Sequence, residues 1–99
     1  MACPKQEVDP ENSLALSNLG AVMLLRGKVP GALERLSKAI ETDPRNPDAQ
    51  SNLGIAYYEA GDMPRAIAHL EEALKLAPGH KMAQDYLKRT QATSRTPRP

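Results

Sequence analysis

The residues of this chain that could carry out chemistry are few and far apart. The two histidines, His69 and His80, fall on different predicted elements, and no cysteine or carboxylate stands at the spacing of a metal site. Glu71 and Glu72 are expected on a solvated helix face rather than as an acid–base pair. The sequence contains no glycine-rich phosphate loop. It therefore predicts a non-enzymatic protein without catalytic residues, metal or cofactor.

Composition argues against several further classes of function. The chain has 99 residues, with 13 Lys and Arg against 12 Asp and Glu, so its net charge of +1 is too small for a nucleic-acid binder. The longest apolar run, residues 21–25, is too short to span a bilayer, and residues 1–13 lack the apolar segment of a signal peptide. Cys3 is the single cysteine, so no internal disulfide can form. We expect a cytoplasmic protein of one domain, with neither nucleic-acid nor membrane partners.

The elements that position any site come from an internal repeat. The tetrapeptide Ser-Asn-Leu-Gly at residues 17–20 returns at residues 51–54, and laying residues 13–46 over 47–80 gives 11 identities. About two would be expected by chance from ordinary composition. Apolar residues recur at spacings of three and four within each half, which is the period of a helix face. Gly27 and Gly61, followed by Pro30 and Pro64, interrupt that pattern, so each repeat is predicted to be a pair of helices.

The predicted architecture is all-α. Residues 13–46 form repeat one and residues 47–80 form repeat two. Residues 81–92 form an amphipathic helix that caps the last repeat, because Ala83 and Leu87 continue the register of Ala49 and Leu53. Residues 1–12 are expected to be mostly irregular, and residues 93–99, which lack apolar periodicity, are expected to be disordered.

Packing between the helices is predicted from the small residues in the repeat. Gly20 and Gly54, with Ala32 and Ala66, stand where the two helices of a pair would cross, and a larger side chain would push the axes apart. Leucines beside the crossing are expected in the core. The complete set of predicted packing residues is Leu19, Gly20, Ala32, Leu36, Ala39, Leu53, Gly54, Tyr57, Ala66, Leu70, Ala73 and Leu87.

These motifs resemble the tetratricopeptide repeat family. That family's order of Leu-Gly, Tyr, Gly, Ala, a large side chain, Ala and Pro across 34 residues is present here as Leu53, Gly54, Tyr57, Gly61, Ala66, Leu70, Ala73 and Pro78. Repeat one departs from it with Met23 in place of Tyr, and both repeats have Leu in place of the usual second-helix aromatic. The resemblance implies a right-handed superhelical solenoid that acts as a scaffold or adaptor and binds a partner peptide in a concave groove.

The first helices of successive repeats are expected to line that groove. Asn18 and Asn52 would form two rungs, similar to the asparagine ladder of superhelical members of the family, and a carboxamide can pair with both the C=O and the N–H of an extended peptide. The alternative is that each asparagine forms hydrogen bonds only locally. The rest of the predicted groove consists of Leu25, Ile55, Tyr58 and Met82.

A second peptide site known in this family is not predicted. The carboxylate clamp for chaperone tails requires Lys and Asn four apart on the first inner helix, Asn on the second, and Lys and Arg four apart on the third. By register, this chain has there Ser17 and Ala21, Asn52, and Met82 and Tyr86. Only Asn52 matches the clamp, so no bidentate anchor for a terminal carboxylate remains.

Two other functions remain open from the sequence. The first helix is so apolar that either a second copy of the chain or upstream sequence should cover it, and self-assembly could then be the function. The chain could also be the docking fragment of a larger enzyme, such as a glycosyltransferase.

Overall fold

The computed structural model describes residues 12–95 and folds them into five α-helices, with no strand in that range. They are α1 (Ser13–Leu25), α2 (Val29–Thr42), α3 (Pro47–Ala60), α4 (Met63–Leu76) and α5 (Lys81–Arg95). Two helix pairs are thus followed by a single helix, and the prediction of an all-α helical repeat is confirmed. The expectations for residues 1–11 and 96–99 lie outside the described residues.

The N-terminal caps of the first helices follow the 34-residue period. Asn12 caps α1, Asn46 caps α3 and His80 caps α5, and in each case a side-chain atom accepts a hydrogen bond from a backbone N–H two or three residues later. Such caps satisfy N–H groups that have no partner inside the helix. The same register therefore begins three helices, even though the third cap is an imidazole.

Glycine and proline separate the helices of each pair. Gly27 and Gly61 have φ of 75° and 85°, a left-handed conformation that residues with a Cβ rarely adopt. Pro30 and Pro64 then lie in the first turns of α2 and α4, where a missing N–H leaves no helical hydrogen bond unmade. These short turns bring α1 against α2 and α3 against α4.

The core lies where each second helix packs between two first helices. Ala32, Leu36 and Ala39 of α2 are fully buried, and they share clusters with residues of α3 and α1. Leu70 and Ala73 of α4 are likewise buried, together with Ala83 of α5. Apolar burial thus links successive helices along the whole described chain.

Glycines let the helices of a pair approach through leucine side chains. A Cβ built on Gly20 would lie 2.5 Å from Leu36 Cγ, and one built on Gly54 would lie 2.7 Å from Leu70 Cγ and 3.1 Å from the Ala66 carbonyl oxygen. Both distances to the leucines are shorter than van der Waals contact allows. The small residues are therefore needed chiefly because a leucine from the opposite helix fills the space above each glycine.

The structure corrects the placement of Leu19. It was expected in the core like Leu53, but 43% of it is exposed, whereas Leu53 is 3% exposed. Leu53 is covered by α2, the helix that precedes its own pair. Within residues 12–95 no helix precedes α1, so the equivalent face of α1 has no such cover.

The C-terminal helix is longer than expected. α5 ends at Arg95 rather than at residue 92. Residues 93–95 contain neither glycine nor proline, so the local sequence has no residue that would end the helix there. Leu87, predicted as a packing residue of this helix, is half-buried against the cluster formed by α4 and α5.

Candidate functional site

Three neighbouring helices supply the candidate site. α3 contacts both α1 and α5, so the first helices of the two repeats and the terminal helix form one continuous surface. The first-helix surface is defined as seven exposed or half-buried residues along these helices, namely Asn18, Leu25, Asn52, Tyr58, Met82, Tyr86 and Arg89.

The two asparagines of this surface have different surroundings. Asn18 is exposed, whereas Asn52 is half-buried and its Nδ2 donates to Ser17 Oγ at 3.2 Å and to the Ser17 carbonyl oxygen at 3.4 Å. These hydrogen bonds join the two repeats and are not confined to one helix. They also occupy the amide nitrogen of Asn52, which is therefore not available to a ligand. The nitrogen of the Asn52 carboxamide is engaged, and its Oδ1 remains as the acceptor that a ligand could use.

The α5 end of the surface is aromatic. The rings of Tyr58 and Tyr86 meet edge to face with their centroids 5.5 Å apart, and the guanidinium carbon of Arg89 lies 4.8 Å from the Tyr86 centroid. Both contacts have the geometry of favourable ring–ring and cation–π interactions. Tyr86 stands 34 residues after Asn52, so the repeat register could have placed it here, although it was not among the predicted groove residues.

The remaining predicted groove residues are not equally accessible. Leu25 is 88% exposed and Met82 46% exposed, while Tyr58 is half-buried. Ile55 is only 6% exposed, so its prediction as a groove-lining residue is wrong. It lies on α3, the middle helix of the three, which contacts both α1 and α5.

Two equivalent buried serines differ in their hydrogen bonding. Ser17 and Ser51 occupy equivalent positions and are both fully buried. Ser17 Oγ accepts from Asn52, but Ser51 Oγ has no hydrogen-bond partner among residues 12–95. The residue that would correspond to Asn52 for Ser51 is Tyr86, which cannot present an amide nitrogen.

The histidines make contacts inside the fold. His69 Nδ1 lies 2.9 Å from Gln50 Oε1, and its ring stacks on Tyr57 with centroids 5.6 Å apart. Burial lowers the pKa of His69 below 6.5, with Glu72 opposing this shift and Arg65 adding to it. His80 Nε2 lies 2.8 Å from Asp48 Oδ1 while its Nδ1 caps α5. Both imidazoles thus join helices, and Tyr57, predicted as a packing residue, is half-buried beside one of them.

Residues 12–95 contain no cluster of three or more His, Cys, Asp or Glu side chains that could hold a metal ion. None of the five helices combines the length and apolar character needed to cross a membrane.

Comparison with known proteins agrees on one family. Models described as tetratricopeptide repeat match residues 26–81 and residues 13–38. No curated protein sequence is significantly similar to the chain.

Several solved structures share the fold. The first TPR of Spaghetti (RPAP3), bound to the HSP90 peptide SRMEEVD, superposes with a TM-score of 0.83 at 20% identity, over 89% of this chain and 70% of that one. The Sgt2 TPR domain from Aspergillus fumigatus gives 0.81 at 23% identity, over 91% and 66%. YrrB, a TPR protein with an unusual peptide-binding site, gives 0.73 at 25% identity, over 81% of this chain and 41% of its own length.

The matched residues coincide with the helix pairs described above. The longer family match runs from the α1–α2 turn to the start of α5 and covers 56 of the 99 residues. Since more than half of the sequence fits the family model and the helices form its characteristic pairs, the chain belongs to the tetratricopeptide repeat family.

Proposed function

We propose that the chain is a non-enzymatic interaction module that binds an extended peptide across the first-helix surface. Membership of the family and fold neighbours such as RPAP3, solved with a bound peptide, support a protein-interaction role in general. The observation that carries the specific proposal is the continuity of α1, α3 and α5, which places an exposed asparagine at one end and a tyrosine pair at the other.

The asparagines would bind the peptide backbone. Asn18 can both donate and accept, and Asn52 can accept through Oδ1 while Ser17 holds its amide nitrogen in place. A carboxamide fixed in this way loses less side-chain entropy when a ligand binds. Backbone contacts alone tolerate many sequences, so they would contribute affinity rather than selectivity.

Selectivity would come from the apolar and aromatic side chains. Leu25 and Met82 are exposed at opposite ends of the surface, and the Tyr58–Tyr86 pair offers a rigid ring edge between two helices. Large apolar side chains of a partner lose most solvent contact in such positions. We therefore expect the partner segment to carry apolar residues at both ends.

An acidic chaperone tail is not the proposed ligand. The positions that would hold the clamp cations carry Ser17, Met82 and Tyr86, none of which is a cation that could form an ion pair with a carboxylate. In addition, the amide nitrogen of Asn52 is already bonded to Ser17. The HSP90 peptide SRMEEVD is thus a suitable negative probe.

The length of the partner segment follows from the helix spacing. Three adjacent helices with axes about 8–10 Å apart span about 20 Å. An extended peptide covers that distance with about six residues at roughly 3.3 Å each. A displayed library of linear peptides slightly longer than this is the probe for selection against the intact chain.

The decisive variant is Asn18→Ala, because Asn18 is exposed and its loss leaves the inter-repeat bond intact. Peptides selected on the unaltered chain should bind Asn18→Ala and Tyr58→Ala about five- to tenfold more weakly. Gln91→Ala is the matched control, since it removes an exposed carboxamide outside the surface. Selection of no peptide, or equal affinity for all three variants, would refute the proposal.

A further inference from the structure

The first helix carries an exposed apolar face at the positions that another helix covers in α3 and α5. Leu19 and Val22 are 43% and 45% exposed, and Ala15 on the same face is also exposed. The equivalent residues of α3, 34 positions later, are Ala49, Leu53 and Ala56, which are at most 3% exposed because α2 covers them. In α5, Ala83 and Thr90 of this register are fully buried as well.

The described chain has no free element to cover this face. The apolar stripes of α2 and α4 are already buried against their neighbours. Residues 1–11 contain Pro4 and Pro10, and their only aliphatic residue of valine size or larger other than Met1 is Val8. That composition offers no apolar helical stripe.

The opposite end of the chain does not complement the apolar face. In a head-to-tail contact, the α1 face of one copy would meet the outer side of α5 in another copy. That side carries Lys81, Gln84, Lys88 and Gln91, all exposed except half-buried Gln84. A head-to-tail contact between copies would therefore place α1 against charged and amide groups, which would lose their hydration. Contact between two α1 helices avoids that loss.

We propose that two copies of the chain form a closed dimer in which their α1 helices pack antiparallel about a two-fold axis. α1 contains no charged residue, so neither orientation brings like charges together. Ala15 and Val22 are equally distant from the midpoint of this face, and an antiparallel pair places the small residue of one copy against the branched residue of the other. Leu19 of both copies then meets near the axis.

The dimer should dissociate on dilution. One helix pair is a small contact by the standards of stable interfaces, which bury about 800 Å² on each partner. Sedimentation velocity of the intact chain from about 1 µM to about 1 mM should therefore show a shift from monomer to dimer, without larger species. A monomer throughout, or an open-ended series of oligomers, would overturn the proposal.

A pair of glutamate substitutions tests which face is used. Leu19→Glu and Met82→Glu place the same charge at positions of similar exposure, 43% and 46%, on different helices. Leu19→Glu should raise the dimer dissociation constant at least about tenfold, since two buried carboxylates would face each other. Met82→Glu should leave it unchanged. Equal weakening by both would overturn the assignment, and circular dichroism checks that each variant keeps its helix content.

Cross-linking tests the orientation of the helices. In a background with Cys3→Ser, a mixture of Ala15→Cys and Val22→Cys chains should form a mixed disulfide far faster than either chain alone. Parallel helices would instead link each variant to itself, because identical positions would then be adjacent. That result would overturn the antiparallel arrangement.

Discussion

The two equivalent serines allow a matched test of inter-repeat hydrogen bonding. Ser17 and Ser51 are both fully buried in first helices, but in the described part of the chain only Ser17 Oγ has a partner, namely Asn52 Nδ2 at 3.2 Å. Ser17→Ala and Ser51→Ala remove the same hydroxyl group from the same register. Any difference in their stability therefore reports on the partner and not on the substitution itself.

The two substitutions are expected to change the free energy of unfolding in opposite directions. Alanine is favoured over serine in a helix by about 0.5 kcal/mol, and this gain applies to both variants. Ser17→Ala also loses one hydrogen bond of about 1 kcal/mol, so a net destabilisation of about 0.5 kcal/mol is expected. Ser51→Ala removes an unsatisfied buried hydroxyl, which costs about 1–3 kcal/mol, so this variant should be stabilised by about 2 kcal/mol.

Thermal and urea unfolding followed by circular dichroism measure both effects. For a domain of this size, 1 kcal/mol corresponds to about 4–8 °C in Tm, so the two variants should differ by about 10 °C or more. In an Asn52→Ala background Ser17 also lacks this partner, so Ser17→Ala should then stabilise the chain as Ser51→Ala does, while the effect at Ser51 should be unchanged. If Ser51→Ala destabilised the chain as much as Ser17→Ala, the assignment of the unpartnered hydroxyl would be wrong.

Three further outcomes are expected. Gly54→Ala should lower the free energy of unfolding by about 1–2 kcal/mol, because the cost of crowding Leu70 and the Ala66 carbonyl exceeds the gain in helix propensity. Leu70→Ala in the same chain should remove much of that penalty in a double-mutant cycle. Because burial lowers the pKa of His69 in the folded state, the contribution of its neutral form to the free energy of unfolding should be fully present above pH 6.5 and should fall as the pH drops below that value. Between about pH 7.5 and about pH 5.5, urea titrations should therefore show a smaller loss of stability for His69→Gln than for the unaltered chain. His80→Asn should keep the α5 cap, as Asn46 does for α3, and lose only the contact with exposed Asp48, so it should lose less stability than His80→Ala, which should lose about 1 kcal/mol from the cap in the same unfolding assay.

Sequence periodicity predicted the helices well because every signal that it used is local. The spacing of apolar residues, the left-handed glycine at position 61 and the proline at position 64 depend only on nearby chain, and the structure has a helix pair at each repeat. Periodicity also identifies which residues share a face. It does not reveal whether a neighbouring element covers that face, which is why Leu19 was expected in the core and is partly exposed.

The candidate site was less predictable because its features arise between repeats. Asn52 repeats Asn18 in sequence, yet within residues 12–95 only Asn52 follows an earlier first helix, with which it forms a hydrogen bond. Ile55 was expected to line a groove, but it is buried in α3, the middle helix of the three. Identical residues in a repeat therefore acquire different roles according to the number of neighbours on each side.

The exchange of Asn for Tyr86 in the third register position links these differences to the proposed function. At the α1–α3 junction a carboxamide holds the buried serine, whereas at the α3–α5 junction the equivalent serine is unpartnered and a tyrosine packs on Tyr58 instead. A continued asparagine ladder would offer the same amide chemistry at every junction. The single exchange places a carboxamide at the α1–α3 junction and an aromatic pair at the α3–α5 junction, so a bound peptide would have one preferred direction. Tyr86→Asn should consequently relax that preference while giving Ser51 a partner, and these two effects are measurable separately as peptide selectivity and as unfolding free energy.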